Sequence, residues 1–234
     1  MTWIINRRRI AAAFLGSLLA VMVGVSTSVA QAALDNAALP RMNTPVKNLS
    51  IVVFDTETTG FSPSKDRVIE VGAVKILNGE IVAATNWMIN PGRAVPSRAT
   101  AVHGISTEML KDKPAFSEIY PQFLAFIGDS ILMAHNARFD VDFMRAEIVR
   151  AELPLPSNAT VDTLKLFRAW YPEAKSHKIG ALVEYIGLNV EDDLHRGDVD
   201  AEVAGRIFLD GLTKNPQVKT LRKLLSDGGG LIVF

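Results

Sequence analysis

The chain contains no cysteine. That absence removes disulfide scaffolds, thiol nucleophiles and thiolate metal sites together, so any metal must be held by oxygen or imidazole. Net charge is absent as well, because 25 basic residues balance 25 acidic ones. The broad basic surface of a tight duplex binder is therefore excluded. No internal repeat is evident. The longest apolar stretch, Ile10 to Val25, covers 16 residues and is broken by Gly16, Ser17 and Gly24, against the roughly 20 residues that cross a bilayer core.

What is present is ordinary in amount. With 234 residues, 48% hydrophobic and 21% charged, the composition is that of a folded chain with one domain and extensions. Residues 1–32 read as a signal peptide: Arg7, Arg8 and Arg9, then the apolar stretch, then small residues ending Ala30-Gln31-Ala32. Cleavage is expected after Ala32, with Ala30 as the second choice. An uncleaved membrane anchor through residues 10–33 is the alternative. Either way the rest of the chain is expected outside the cytoplasm, periplasmic, extracellular or anchored. Removing residues 1–32 takes away three arginines and no acid, so the mature chain carries three more acidic than basic residues. Residues 33–48, rich in Ala, Asn and Pro, read as a linker.

The folded part is expected at 49–214, with 215–234 a C-terminal tail that includes the flexible Gly228-Gly229-Gly230. Ser50–Asp55 is a nearly continuous β-branched run that suits a buried central strand. Val68–Leu77 and Ile81–Ile89 flank Asn78-Gly79, a hairpin signal. A loop is expected after Pro91-Gly92, then a helix over 116–127, a strand over 131–135, a helix over 136–151 and a short fifth strand at 160–162. Helices at 163–170, 179–186 and 199–212 complete an α/β layer architecture: a mixed five-stranded sheet flanked by helices.

Acids gather in three segments. Asp55 and Glu57 end the first strand two residues apart, and therefore point the same way. Two parallel carboxylates at a buried strand end are costly unless cations neutralise them. Asp140 follows Asn136 across a strand-to-helix junction, and Asp200 opens the last long helix, five residues after His195. That offset requires His195 to lie on the loop before the helix if the two are to meet. Four carboxylates with one imidazole suit Mg²⁺ or Mn²⁺, and two such ions about 4 Å apart can stabilise both oxygens of an in-line phosphoryl displacement. His195 is the natural general base. His135 and His177 read as structural or capping residues.

Phe-Asp-Thr-Glu-Thr-Thr-Gly at 54–60, His-Asn-Ala-Arg-Phe-Asp at 135–140 and His195 before Asp200 resemble the three motifs of the DEDDh (DnaQ-like) exonucleases. That family includes the proofreading epsilon subunit of bacterial DNA polymerase III and RNase T. The likeness spans about residues 49–214 and extends to Val102-His103-Gly104-Ile105. It implies an RNase H-like fold, two divalent cations, and 3′–5′ hydrolysis of single-stranded ends or short oligonucleotides to nucleoside 5′-monophosphates. It further implies Asp55, Glu57, Asp140 and Asp200 as metal ligands, His195 as general base, and substrate contacts at Asp55, Glu57, Thr58, His103, Asn136 and Asp200. Where many relatives carry Ala-Leu after His-Arg, this chain has Gly197-Asp198. Two other readings stand beside it: a catalytically silent nucleic-acid-binding module on the same fold, and a polymerase-associated proofreading exonuclease. No protein partner is deducible.

Overall fold

A computed structural model of the protein describes residues 40–190 and 196–234. The expected signal segment lies outside the described residues, as do residues 33–39 of the linker and His195. Among the described residues, no helix is long and apolar enough to cross a membrane.

Three antiparallel strands come first, β1 (Ile51–Thr58), β2 (Val68–Leu77) and β3 (Glu80–Met88). Two short helices follow, α1 (Ser97–His103) and α2 (Thr107–Leu110), then α3 (Phe116–Ile127). Strand β4 (Ile131–Ala134) leads into α4 (Arg138–Arg150), and β5 (Ala159–Asp162) into α5 (Thr163–Trp170) and α6 (Ile179–Ile186). The chain closes with α7 (Gly197–Lys214), α8 (Leu221–Asp227) and β6 (Ile232–Val233). The sheet order is β3-β2-β1-β4-β5-β6. Strands β1, β4 and β5 run parallel, whereas β2, β3 and β6 pair antiparallel to their neighbours. Asn78 and Gly79 both take positive φ, 54° and 83°, the backbone that a tight hairpin between β2 and β3 requires.

Alternation along β1 divides the core. Ile51 and Val53 pack with Val74, Ile76, Phe167, Ile207 and Phe208 on one face. Val52 and Phe54 pack with Tyr120, Phe123, Val141 and Phe143 on the other. A helical layer thus covers each face, as the expected α/β architecture requires.

The sheet has six strands where five were expected, and the segment read as a tail from residue 215 supplies the sixth. Gly229 and Gly230 take positive φ of 72° and 91°, turning the chain so that Ile232 pairs with Thr160. Arg145 Nη2 donates to the Val233 carbonyl at 2.6 Å, and buried Phe234 lies against Phe54 with ring centroids 6.5 Å apart. A two-residue strand has no periodicity to read, which is why it went unforeseen. The loop expected after Pro91 contains α1 and α2, each too short to show a helical repeat.

Candidate metal centre

At the end of β1 the alternation that builds the core begins to carry acids. Asp55 and Glu57 continue the face of Ile51 and Val53, toward α7, whereas Thr56 continues the face of Val52 and Phe54, toward α4. Helix α7 holds Asp200 in its first turn, where the positive end of the helix dipole favours a carboxylate. Asp55, Glu57 and Asp200 each present an oxygen within 4.8 Å of the others.

Asp140 enters from α4. Its Oδ1 accepts hydrogen bonds from the Thr56 amide at 3.0 Å and the Thr56 hydroxyl at 2.8 Å. Asp140 stands outside the close trio, yet among the neighbouring acids its charge acts most strongly on Asp55. Thr56 is thus a holder of the site that sequence reasoning missed, because its target lies 84 residues away.

The approach of α7 depends on two glycines. Asp55 pairs with Gly72 across β1 and β2, and Glu57 with Glu70. A Cβ built on Gly72 would lie 1.9 Å from the carbonyl carbon of Gly197. Any larger residue at 72 would push the start of α7, and Asp200 with it, off the sheet. Gly197 is therefore a packing residue: a Cβ there would meet the Gly72 amide at 2.9 Å.

Burial first, then repulsion from Asp140, Asp200, Glu57 and Glu70, holds the Asp55 carboxyl well above the usual carboxylate range. Burial and repulsion from Asp200, Glu70 and Asp140 push Glu57 up to about 8, against a smaller opposing pull from Arg196. Burial raises Asp140 to about 7 despite the two Thr56 bonds. The acids crowd one another, and the Arg196 guanidinium that partly offsets Glu57 is itself committed to Glu70 at 3.0 Å. A divalent cation held by oxygen ligands supplies the missing charge, so these residues fit one.

Beside the acids lies a cavity of about 320 Å³. It brings together Asp55, Glu57, Thr58, His103, Asn136, Asp140 and Asp200. His195 is outside the described residues; α7 begins two residues after it, at Gly197. His103 is buried, and its Nδ1 accepts from the Ile105 amide at 3.1 Å. That places the ring proton on Nε2, which makes no hydrogen bond. Burial is the largest influence on the His103 pKa and lowers it. The Thr58 hydroxyl donates to the Gly60 carbonyl at 2.6 Å. Asn136 sits at φ 63°, and its amide donates to Asp162 Oδ1 at 3.1 Å. His135 also lines the cavity, with burial holding it down at about 4 and Thr163 Oγ1 at 3.2 Å from its Nδ1. His177 Nε2 lies 3.0 Å from the Tyr171 carbonyl, and His177 is not among the cavity's lining residues. Phe61 stands 86% exposed at the rim. Its place directly after the motif glycine Gly60 was the only signal available in the sequence. A larger cleft of about 530 Å³ near Val46, Phe208 and Val218 has no acid among its lining residues, so size alone does not mark the site.

The family described as "Exonuclease" matches residues 52–208. The chain is 38% identical over 157 residues to "DNA polymerase III PolC-type" of Clostridium perfringens (strain 13 / Type A), covering 67% of this chain and 11% of that protein. It thus spans only about a tenth of the length of the curated relatives it matches. Among solved structures it is similar to "Exonuclease X in complex with 5' overhanging duplex DNA", with TM-score 0.63 and 26% identity over 76% of this chain and 99% of that one. The nuclease domain of 3'hExo, a DEDDh family member, in its rAMP-bound structure shares the fold with TM-score 0.64 at 16% identity, covering 73% of this chain and 94% of that one.

Proposed function

The chain belongs to the exonuclease family, and from that premise we propose that it is an exported, metal-dependent 3′–5′ exonuclease releasing nucleoside 5′-monophosphates. Its substrates on this reading are single-stranded DNA or RNA ends and short oligonucleotides. The observation that carries it is the meeting of Asp55, Glu57 and Asp200 at a cavity of about 320 Å³. Ligand pockets begin at about 300 Å³, so the cavity suits one terminal nucleotide.

Asp55, Glu57, Asp140 and Asp200 would hold two divalent cations, Mg²⁺ or Mn²⁺. Bound there, the cations would neutralise charge developing on the scissile phosphate. Thr56 keeps Asp140 turned toward the centre through its two hydrogen bonds. His195 takes the proton of the attacking water. The unpaired Nε2–H of His103 donates to the terminal nucleotide, and its lowered pKa keeps the ring neutral in that role. Thr58 and Asn136 line the same pocket, and Phe61 offers its exposed face to a base.

The similarity to DNA polymerase III PolC-type proteins favours a second reading, a proofreading exonuclease associated with a polymerase. The signal-like pattern of residues 1–33 favours the exported enzyme, and cell fractionation separates the two. Protein found in the cytosol with residues 1–32 intact would sink the export reading.

The chemistry is tested by digesting 3′-labelled and 5′-labelled single strands with Mg²⁺, Mn²⁺ or chelator, alongside Asp55→Ala and Asp200→Ala. Metal-dependent loss of mononucleotides from the 3′ end, abolished in both variants with circular dichroism unchanged, is expected. Binding without turnover would instead identify a silent module.

A further inference from the structure

Glu70 is a carboxylate that the chemistry above does not use. It is fully buried on β2, directly opposite Glu57. Each of its oxygens is saturated: Oε1 accepts from Asn86 Nδ2 at 2.8 Å and Arg196 Nη2 at 3.0 Å, and Oε2 accepts from the Gly197 amide at 2.9 Å and Arg196 Nε at 3.4 Å. Four donors leave no lone pair suited to a metal. Three of those donors belong to Arg196 and Gly197, the residues that open α7.

Two positions along the same strand face, Gly72 receives the backbone of Gly197. Glu70 and Gly72 thus form one seat: the glycine permits the helix to touch the strand, and the carboxylate fastens it there. Asp200 follows one turn later, with its amide bonded to the Arg196 carbonyl at 2.8 Å. A shift of the 196–197 backbone therefore moves Asp200 directly.

We propose that Glu70 is a positioning residue, anchoring Arg196 and Gly197 on β2 so that Asp200 stands within ligand distance of Asp55 and Glu57. This rests on the reading of those three acids as a metal site. The alternative is that Glu70 contributes only its charge. The two differ in what the loss of Arg196 does. Removing a cation close to a metal site tightens metal binding through charge alone, whereas loosening the seat weakens it.

The test uses the mature protein with Glu70→Gln, Arg196→Gln and the double variant. Mn²⁺ affinity is read by electron paramagnetic resonance, and amide hydrogen exchange over residues 197–200 is read on the metal-free protein. Both single variants are expected to exchange faster at 197–200 and to bind Mn²⁺ about 10–100-fold more weakly, the range for loss of a residue that orients a ligand. The double variant should lose little more than either single one, because one seat is broken in all three. Arg196→Gln binding Mn²⁺ as tightly as the parent, or more tightly, overturns the proposal, as does unchanged exchange at 197–200 in Glu70→Gln. If Glu70→Gln fails to fold, Arg196→Gln still decides, since its side chain is 39% exposed. Failure of the metal reading itself shows elsewhere, as Mn²⁺ binding untouched by Asp55→Ala, and the exchange measurement then decides the anchor.

Discussion

Glu57→Gln is expected to stabilise the metal-free protein while abolishing catalysis, because the wild-type carboxylate is held where its charge is unwelcome. The folded protein raises Glu57 from 4.5 to about 8. The unfolded chain therefore releases this proton near pH 4.5 and the folded protein only near pH 8. Between those values the folded state binds the extra proton, so stability falls as pH rises through the window. At about 1.4 kcal/mol per pH unit, the full climb corresponds to about 5 kcal/mol above pH 8. Relaxation and water entry lower the realised cost to about 2–5 kcal/mol. Glutamine keeps the shape and has no proton to lose. The gap between variant and parent should thus be under about 1 kcal/mol at pH 5 and widest at pH 8.5.

Urea denaturation in EDTA at those two pH values measures the gap. Adding Mn²⁺ should then narrow the gap, because a cation at 100-fold its dissociation constant stabilises the parent by about 2.7 kcal/mol and the variant by less. A variant no more stable than the parent at pH 8.5 in EDTA, or a gap that does not widen with pH, would refute the reasoning.

Three further outcomes are expected. His195→Ala should slow turnover roughly 10²-fold or more while leaving Mn²⁺ affinity intact, so equal loss of both would reassign it to metal binding. Phe61→Ala should raise KM by about 5-fold or more, since stacking on a base is worth about 1–3 kcal/mol. Its 86% exposure predicts a stability change within about 0.5 kcal/mol, and unchanged KM would remove it from the substrate path. Phe234→Ala should destabilise by about 3–5 kcal/mol, as for other buried aromatics, and a change near zero in denaturation would show that β6 is dispensable.

The sequence was readable where the physics is local. The β-branched run of β1, the Asn78-Gly79 hairpin and the apolar repeat of α3 each lie within a few residues and appear as expected. Asp55, Glu57, Asp140 and Asp200 sit at or near the ends of such elements and line one cavity. What escaped reading joins distant positions. Thr56 meets Asp140 over 84 residues, Glu70 meets Gly197 over 127, and Arg145 meets Val233 over 88. Within the apolar run of β2, Glu70 carries no mark of its partners.

Glu57 and Glu70 make the division plain. They face each other across β1 and β2, carry the same charge, and contribute to the same crowding of acids. Their uses diverge through the donors each one meets. Glu70 receives two donors on each oxygen, one amide and one guanidinium nitrogen, so the protein itself satisfies its charge and the carboxylate becomes a fastener. Glu57 faces mainly other acids, with Arg196 already engaged, so its charge calls for a cation from solution. A carboxylate on a strand is therefore structural or metal-binding according to the hydrogen-bond donors that the tertiary fold brings to it. In this chain the start of α7 does both at once: it satisfies Glu70 with its backbone and delivers Asp200 to Glu57.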